Sequence, residues 1–147
     1  MTIREILHDK GRHVVSMWPE HTVADAISRC AEQNISAIVI TDHHGAPIGI
    51  VSDRDALRAL ARHGTRAMGL RVTDVMKSPP DTCGPDHSVT EVLAHMTNER
   101  IRHVVVLAEG RMAGIVSIGD LVKAKLRDAD LESRVLRERA LSRLAAE

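Results

Sequence analysis

The chain contains no phenylalanine and no tyrosine, and Trp18 is its single tryptophan. Proteins that hold single-stranded nucleic acid stack bases on aromatic side chains, so this composition argues against that class. Charge points the same way. Lys plus Arg number 20 and Asp plus Glu number 20, which leaves no global field for nucleic acid or an anionic membrane. The two cysteines, Cys30 and Cys83, form neither a CxxC site nor a disulfide framework. No apolar run reaches membrane-spanning length, and Met1-Thr2-Ile3-Arg4-Glu5 lacks a signal-peptide core, so a cytoplasmic protein is expected. The GxSxG elbow, the GxxxxGK[ST] loop and GxGxxG are all missing, and the nine histidines show no metal-ligand spacing. The expectation is a non-enzyme with no catalytic cofactor and no metal.

What the chain does contain is a repeat. Gly49-Ile50-Val51-Ser52-Asp53-Arg54-Asp55 returns as Gly114-Ile115-Val116-Ser117-Ile118-Gly119-Asp120, at a separation of 65. Pro19-Glu20-His21-Thr22-Val23 returns as Pro85-Asp86-His87-Ser88-Val89, and Ile35 as Ile101, at a separation of 66. A long unit occurring twice predicts two similar subdomains, over 1–66 and 67–125, with a helical tail over 126–147.

Local patterns fill in each unit. Ile3, Ile6 and Leu7 predict a short amphipathic turn closed near Gly11. His13-Val14-Val15-Ser16 reads as a brief strand or extended segment. Thr22-Val23-Ala24-Asp25 has the form of a capping box, followed by apolar residues at Val23, Ala26, Ile27 and Cys30, the spacing of a helix with one buried face. Asn34 ends that helix. Ala37-Ile38-Val39-Ile40, the turn His43-His44-Gly45 and Pro47-Ile48-Gly49-Ile50-Val51 predict a hairpin. A second helix runs from Asp53 to about His63 and carries Leu57, Leu60 and Ala61. The second unit restarts at Arg71-Val72-Thr73-Asp74-Val75-Met76, caps a helix at Ser88-Val89-Thr90-Glu91, and makes its hairpin from Val104-Val105-Val106-Leu107 and Met112-Ala113-Gly114-Ile115-Val116. Leu131, Val135, Leu136, Ala140, Leu141 and Leu144 mark a helical tail, to be packed on the body or on a second copy; its near-balanced charges disfavour a nucleic-acid arm.

In this order and spacing, the motifs resemble a CBS domain pair, or Bateman module, of the small stand-alone type. The resemblance rests on Val72-Thr73-Asp74-Val75-Met76, on Ile35-Ser36-Ala37 and Ile101-Arg102-His103, and on the two Gly-Ile-Val-Ser-x-x-Asp copies, and it covers about 3–123. It implies an α/β (α+β) fold of two tandem β-α-β-β-α subdomains packed through their sheets, with a C-terminal helix. It also implies a homodimer and a cleft for an adenosine-containing ligand such as AMP, ADP, ATP, NAD(H) or S-adenosylmethionine. An as yet unidentified regulated protein would read the ligand state.

The residues suit that role. The carboxylates of Asp55 and Asp120 have the paired acceptors that vicinal ribose hydroxyls require. Ser52 and Ser117 open helices whose free N–H groups favour phosphate, and Arg102, His103 and Arg54 add polar or cationic groups. With no aromatic available, adenine would lie between Ile35 and Ile101, its edge read by backbone around Ser36-Ala37, Arg102-His103, Ser16 and Thr82. The Asp120 site is preferred, because Gly119 leaves room where Asp53 and Arg54 crowd the first copy. The competing reading is that Ser-x-x-Asp is itself a capping box and stabilises a helix without any ligand. A structural dimerisation module with empty clefts is the alternative function, and a small enzyme the weakest.

Overall fold

The computed structural model describes residues 1–146, so Glu147, the last residue of the expected tail, lies outside the described part. The two hairpins form as expected, and each is joined by the third strand of the expected β-α-β-β-α order. In the first half, β1 (Ser16–Met17) runs parallel to β2 (Ala37–Thr41), which pairs antiparallel with β3 (Pro47–Ser52). β4 (Thr82–Cys83), β5 (His103–Ala108) and β6 (Arg111–Ser117) repeat this arrangement in the second half. The strand expected over 13–16 is shorter and shifted, since only Ser16 and Met17 pair with β2, opposite Val39 and Ile40. Val14 packs between the sheets instead.

The continuous apolar runs Ala37-Ile38-Val39-Ile40 of β2 and Val104-Val105-Val106-Leu107 of β5 follow from the two covered faces of these strands. Ile38 and Ile40 point into a core made with Met17, Ala26, Val51 and Val72, whereas Ala37 and Val39 meet Val105 of the opposite sheet. In β5 the parity is the same: Val104 and Val106 face the helices and Val105 faces the other half. The two subdomains are thus joined sheet to sheet.

The main helices are α2 (Val23–Gln33), α3 (Asp53–His63), α5 (Val89–Glu99) and α6 (Ile118–Ala146). α2 carries a complete capping box, in which Thr22 Oγ1 accepts the Asp25 N–H at 3.2 Å and the Asp25 carboxylate accepts the Thr22 N–H at 2.9 Å. At Ser88 only the forward bond forms, from Glu91 N–H at 3.0 Å. α3 has the expected span, but its leucines do not make the buried face. Ala56 and Ala59 turn inward, while Leu57 is 67% exposed. The register set by Ser52 at the helix start places small residues against the body and the leucines outside.

The two short helices exchange partners. α1 (Ile3–Lys10) begins the chain but packs in the core of the second half, where Ile3, Ile6 and Leu7 meet Val89, Val104 and Leu121. Its start is tied there by Ile3 N–H to His87 O at 3.0 Å and Val89 N–H to Met1 O at 2.9 Å. α4 (Val72–Val75) stands in the equivalent place in the first half, held by Val72 N–H to His21 O at 2.9 Å and Val23 N–H to Leu70 O at 2.8 Å. The exchange explains two glycines of the repeated motif. A Cβ on Gly114 would fall 2.6 Å from Leu7 Cδ2 of α1, and one on Gly49 would collide with the sulfur of Met76 just after α4.

Candidate functional site

Each hairpin ends on a serine that faces the residue opening its partner strand: Ser52 lies opposite Ala37, and Ser117 opposite His103. Each serine also starts a helix. Ser52 Oγ accepts the Asp55 N–H at 3.3 Å, and Asp55 Oδ2 accepts the Ser52 N–H at 2.8 Å and its hydroxyl at 3.0 Å. Ser117 Oγ accepts the Asp120 N–H at 3.1 Å, and Asp120 Oδ2 accepts the Ser117 N–H at 2.8 Å. Both motifs are therefore caps. Capping uses only one carboxylate oxygen: among the described residues every bond to Asp120 ends on Oδ2, and Asp55 Oδ1 has only Arg58, at 3.7 Å.

Because the sheets face each other, the aspartate of one half looks across at the strand-opening segment of the other. One cleft sets Ser117 and Asp120 opposite Ile35, Ser36 and Ala37, with Lys10, Asp53 and Ile115 at its sides. The other sets Ser52, Arg54 and Asp55 opposite Ile101 and Arg102, with Lys77 and Asp81 at its sides. His103 borders both. Most of the residues singled out in the sequence are thus brought together in two groups. Ser16, Thr82 and Gly119 fall outside these linings. Ser16 pairs with Val39 on β1, and Thr82 borders a different hollow with His87, Glu91 and His95. Gly119 is exposed, and a Cβ there would meet only Ser117 Oγ at 3.6 Å, so the fold itself does not require glycine at this position.

The clefts differ in charge and size. The Asp120 cleft encloses about 570 Å³ and the Asp55 cleft about 120 Å³. The Asp55 cleft is lined by Arg54, Arg58, Lys77, Arg100 and Arg102 with the carboxylates of Asp55 and Asp81, and Arg102 is already paired with Asp53. Among the described residues that line the Asp120 cleft the one lysine or arginine is Lys10, which donates to Asp120 Oδ2 at 2.6 Å and to Ile115 O at 2.8 Å, while Lys123 and Arg127 stand with Asp120 around a separate hollow. Burial works to raise the Asp120 carboxyl, but the Lys10 ammonium and the Ser117 N–H outweigh it and hold the group below its ordinary value. In the Asp55 cleft the nearby lysine, Lys77, pairs with Asp81 and not with the capping aspartate.

Polar links cross between the halves at the rim of the clefts. Ser36 Oγ and His103 Nε2 are 3.0 Å apart, and Arg102 donates to Asp53 Oδ1 at 2.7 Å. The Arg102 bond holds the Asp53 carboxyl low. His103 is pushed below 6.5, first by burial and then by the Arg102 charge, and so is neutral at pH 7. Neither Lys10 nor Lys77 was singled out in the sequence, because both come from the exchanged segments, whose partners lie in the opposite sequence half.

The family model for the CBS domain matches residues 3–62 and again 72–127. The chain belongs to the CBS domain family. A mitochondrial CBS domain-containing protein of Arabidopsis thaliana, CBSX3, is 31% identical over 135 residues, covering 86% of this chain and 66% of its own length. The chain therefore spans just under two thirds of that relative. Among solved structures, a CBS-domain protein of Agrobacterium tumefaciens superposes with a TM-score of 0.83 at 34% identity, covering 85% of this chain and 99% of its own. A CBS domain protein of Pyrobaculum aerophilum complexed with AMP superposes with a TM-score of 0.73 at 28% identity, covering 82% of this chain and 89% of its own. These matches establish the CBS-pair architecture expected from the repeated motifs.

Proposed function

We propose that this chain is a non-catalytic regulatory module that binds an adenosine-containing ligand between its two CBS repeats. The observation that carries the reading is the geometry of the capping aspartates. Each spends one oxygen on its helix and turns toward an aliphatic, backbone-rich segment of the other repeat. A carboxylate oxygen accepting from ribose hydroxyls is a charge-assisted bond, and flanking isoleucines supply an apolar slot for a purine. The AMP complex of the Pyrobaculum relative supports the choice of ligand class.

The Asp120 cleft is the primary site, since its volume falls within the range of small-molecule pockets. Ile35, Ser36 and Ala37 hold the base, Asp120 the ribose, and Lys10 with the Ser117 helix start the first phosphate. The Asp55 cleft, with five cations, suits a longer phosphate chain once its arginines rearrange. Binding at a seam between repeats favours one packing of the halves, and a partner reads that difference only to the extent that the ligand prefers one state. A homodimer is part of this reading, and the exposed Leu57 and Leu60 of α3 offer apolar area for it.

A thermal-shift titration against AMP, ADP, ATP, NAD+, NADH and S-adenosylmethionine tests the proposal. Stabilisation of about 2.7 kcal/mol at a hundredfold excess over Kd is expected for the true ligand. It should disappear in Asp120→Ala. If no adenosine compound moves the wild-type melting temperature, the serine–aspartate pairs are caps and the module works through protein contacts alone.

A further inference from the structure

The family match ends at residue 127, yet α6 continues to Ala146. Beyond the body this helix is exposed along its length, including Leu126 at 66%, Leu136 at 65% and Leu144 at 68%. An isolated helix with so much apolar surface wants a partner. Its sequence says which surface is offered. Val122, Leu126, Ala129, Ser133, Leu136 and Ala140 follow one another at steps of four and three, and none is charged, although the intervening positions are rich in Lys, Arg, Asp and Glu. That is the spacing of a coiled-coil seam, with Leu126, Ser133 and Ala140 at a and Val122, Ala129 and Leu136 at d. The competing strip through Leu131 and Val135 is broken by Asp128 and Glu138, so it does not make a continuous seam.

The flanking charges then choose the occupant. In this register Lys125, Glu132 and Arg139 stand at g, and Lys123, Asp130 and Arg137 at e. In a parallel pair each g position meets the e position five residues on in the other helix. Lys125 would meet Asp130, and Glu132 would meet Arg137, both of opposite sign. In an antiparallel pair with the seams in full overlap, e faces e and g faces g. Asp130 would meet Asp130, Glu132 would meet Glu132, Lys123 would meet Arg137 and Lys125 would meet Arg139, all of like sign. We propose that α6 beyond the body is the interaction surface for a second copy of this chain, joined as a parallel two-stranded coiled coil over about 122–140, where Arg143 at the next d position ends the seam. Small residues at Ala129, Ser133 and Ala140 let the two helices approach closely, and the e and g charges set the orientation.

Oxidative cross-linking of the full chain reads the register. In a parallel pair Ser133 faces Ser133, so Ser133→Cys should give a covalent dimer, while Arg134→Cys on the outer face and the wild type, with its native Cys30 and Cys83, should not. Glu132→Lys should weaken self-association by about tenfold, because it turns two attractions into repulsions, and adding Arg137→Glu should restore it. The proposal is overturned if Ser133→Cys cross-links no better than Arg134→Cys, as it would with the tail on its own body or on another protein. It is equally overturned if Ser133→Cys cross-links only when mixed with Ala129→Cys, which is the antiparallel signature.

Discussion

The Lys10 ammonium lies 2.6 Å from Asp120 Oδ2, joining the last residue of the first helix to the first turn of the last one. The contact exists because α1 has crossed to the second repeat, and it places a cation on the carboxylate that a ribose would use. On the proposed reading the ribose takes Asp120 Oδ1, which carries no bond from the described residues, and Lys10 remains on Oδ2. A phosphate on the ligand would give the ammonium a second anion; a ligand without phosphate would leave the ion pair as it is.

That difference makes Lys10→Ala diagnostic. Removing the ammonium deletes a phosphate contact and leaves Asp120 Oδ1 open to the ribose. The ratio of AMP to adenosine affinity should fall by roughly tenfold, the worth of one charge-assisted bond. Competition binding of the two ligands to wild type and variant measures it, and an unchanged ratio would place Lys10 outside the phosphate site.

Capping should be separable from binding. Ser117→Ala removes a helix cap and should cost about 1 kcal/mol, lowering Tm by about 2–4 °C for a chain of this size. Because Asp120 stays in place, ligand-induced stabilisation should largely persist. Denaturant melts with and without AMP separate the two effects.

The exchanged helices can be tested by a glycine. Gly114→Ala drives a methyl into Leu7 and should destabilise by about 1–3 kcal/mol, the usual cost of overpacking. Leu7→Ala leaves a cavity of its own, but the double variant should be less destabilised than the sum of the two singles, as contacting residues are. Chemical denaturation of all four proteins reads this, and strict additivity would argue against the α1 crossing.

These crossings mark the boundary of what the sequence reveals. The hairpins, the α2 cap and the Ser-x-x-Asp pairs are local, and continuous apolar runs or a three-residue cap spacing show them directly. The resemblance of the two motif copies then brings Asp55 and Asp120 to facing clefts. Leu7 on Gly114 and Lys10 on Asp120 connect residues more than a hundred positions apart, and no periodicity encodes such a contact. For the same reason the outward turn of Leu57 could not be read from a helical wheel, since Ala56 and Ala59 are also apolar and the tighter packing selects them.

Acid should weaken the fold in stages. His103 is depressed below 6.5 in the folded chain, so an unfolded chain binds a proton there that the native one refuses. Its contribution is fully present above 6.5 and is lost as pH falls through the lowered native value. Asp120 and Asp53 are also depressed and act in the same direction at lower pH, below the ordinary carboxylate value of 3.8. His103→Gln should flatten the stability profile just below 6.5 and leave the more acidic loss intact, as urea melts across pH will show.

The thiols should differ from reactive cysteines. Burial pushes Cys83 up to about 11, so labelling at neutral pH should be slow until the chain opens, while half-buried Cys30 labels sooner. Timed alkylation followed by peptide mapping distinguishes them.

Calorimetric titration of AMP into the full chain, wild type and Asp120→Asn, bears most directly on the account. Asparagine can still cap the helix but cannot offer a charged acceptor to the ribose. Saturable binding to wild type, weakened by roughly ten- to a hundredfold in the variant, is what the geometry requires. Wild type that gives no binding heat, or a variant that binds AMP as tightly as wild type, would contradict it.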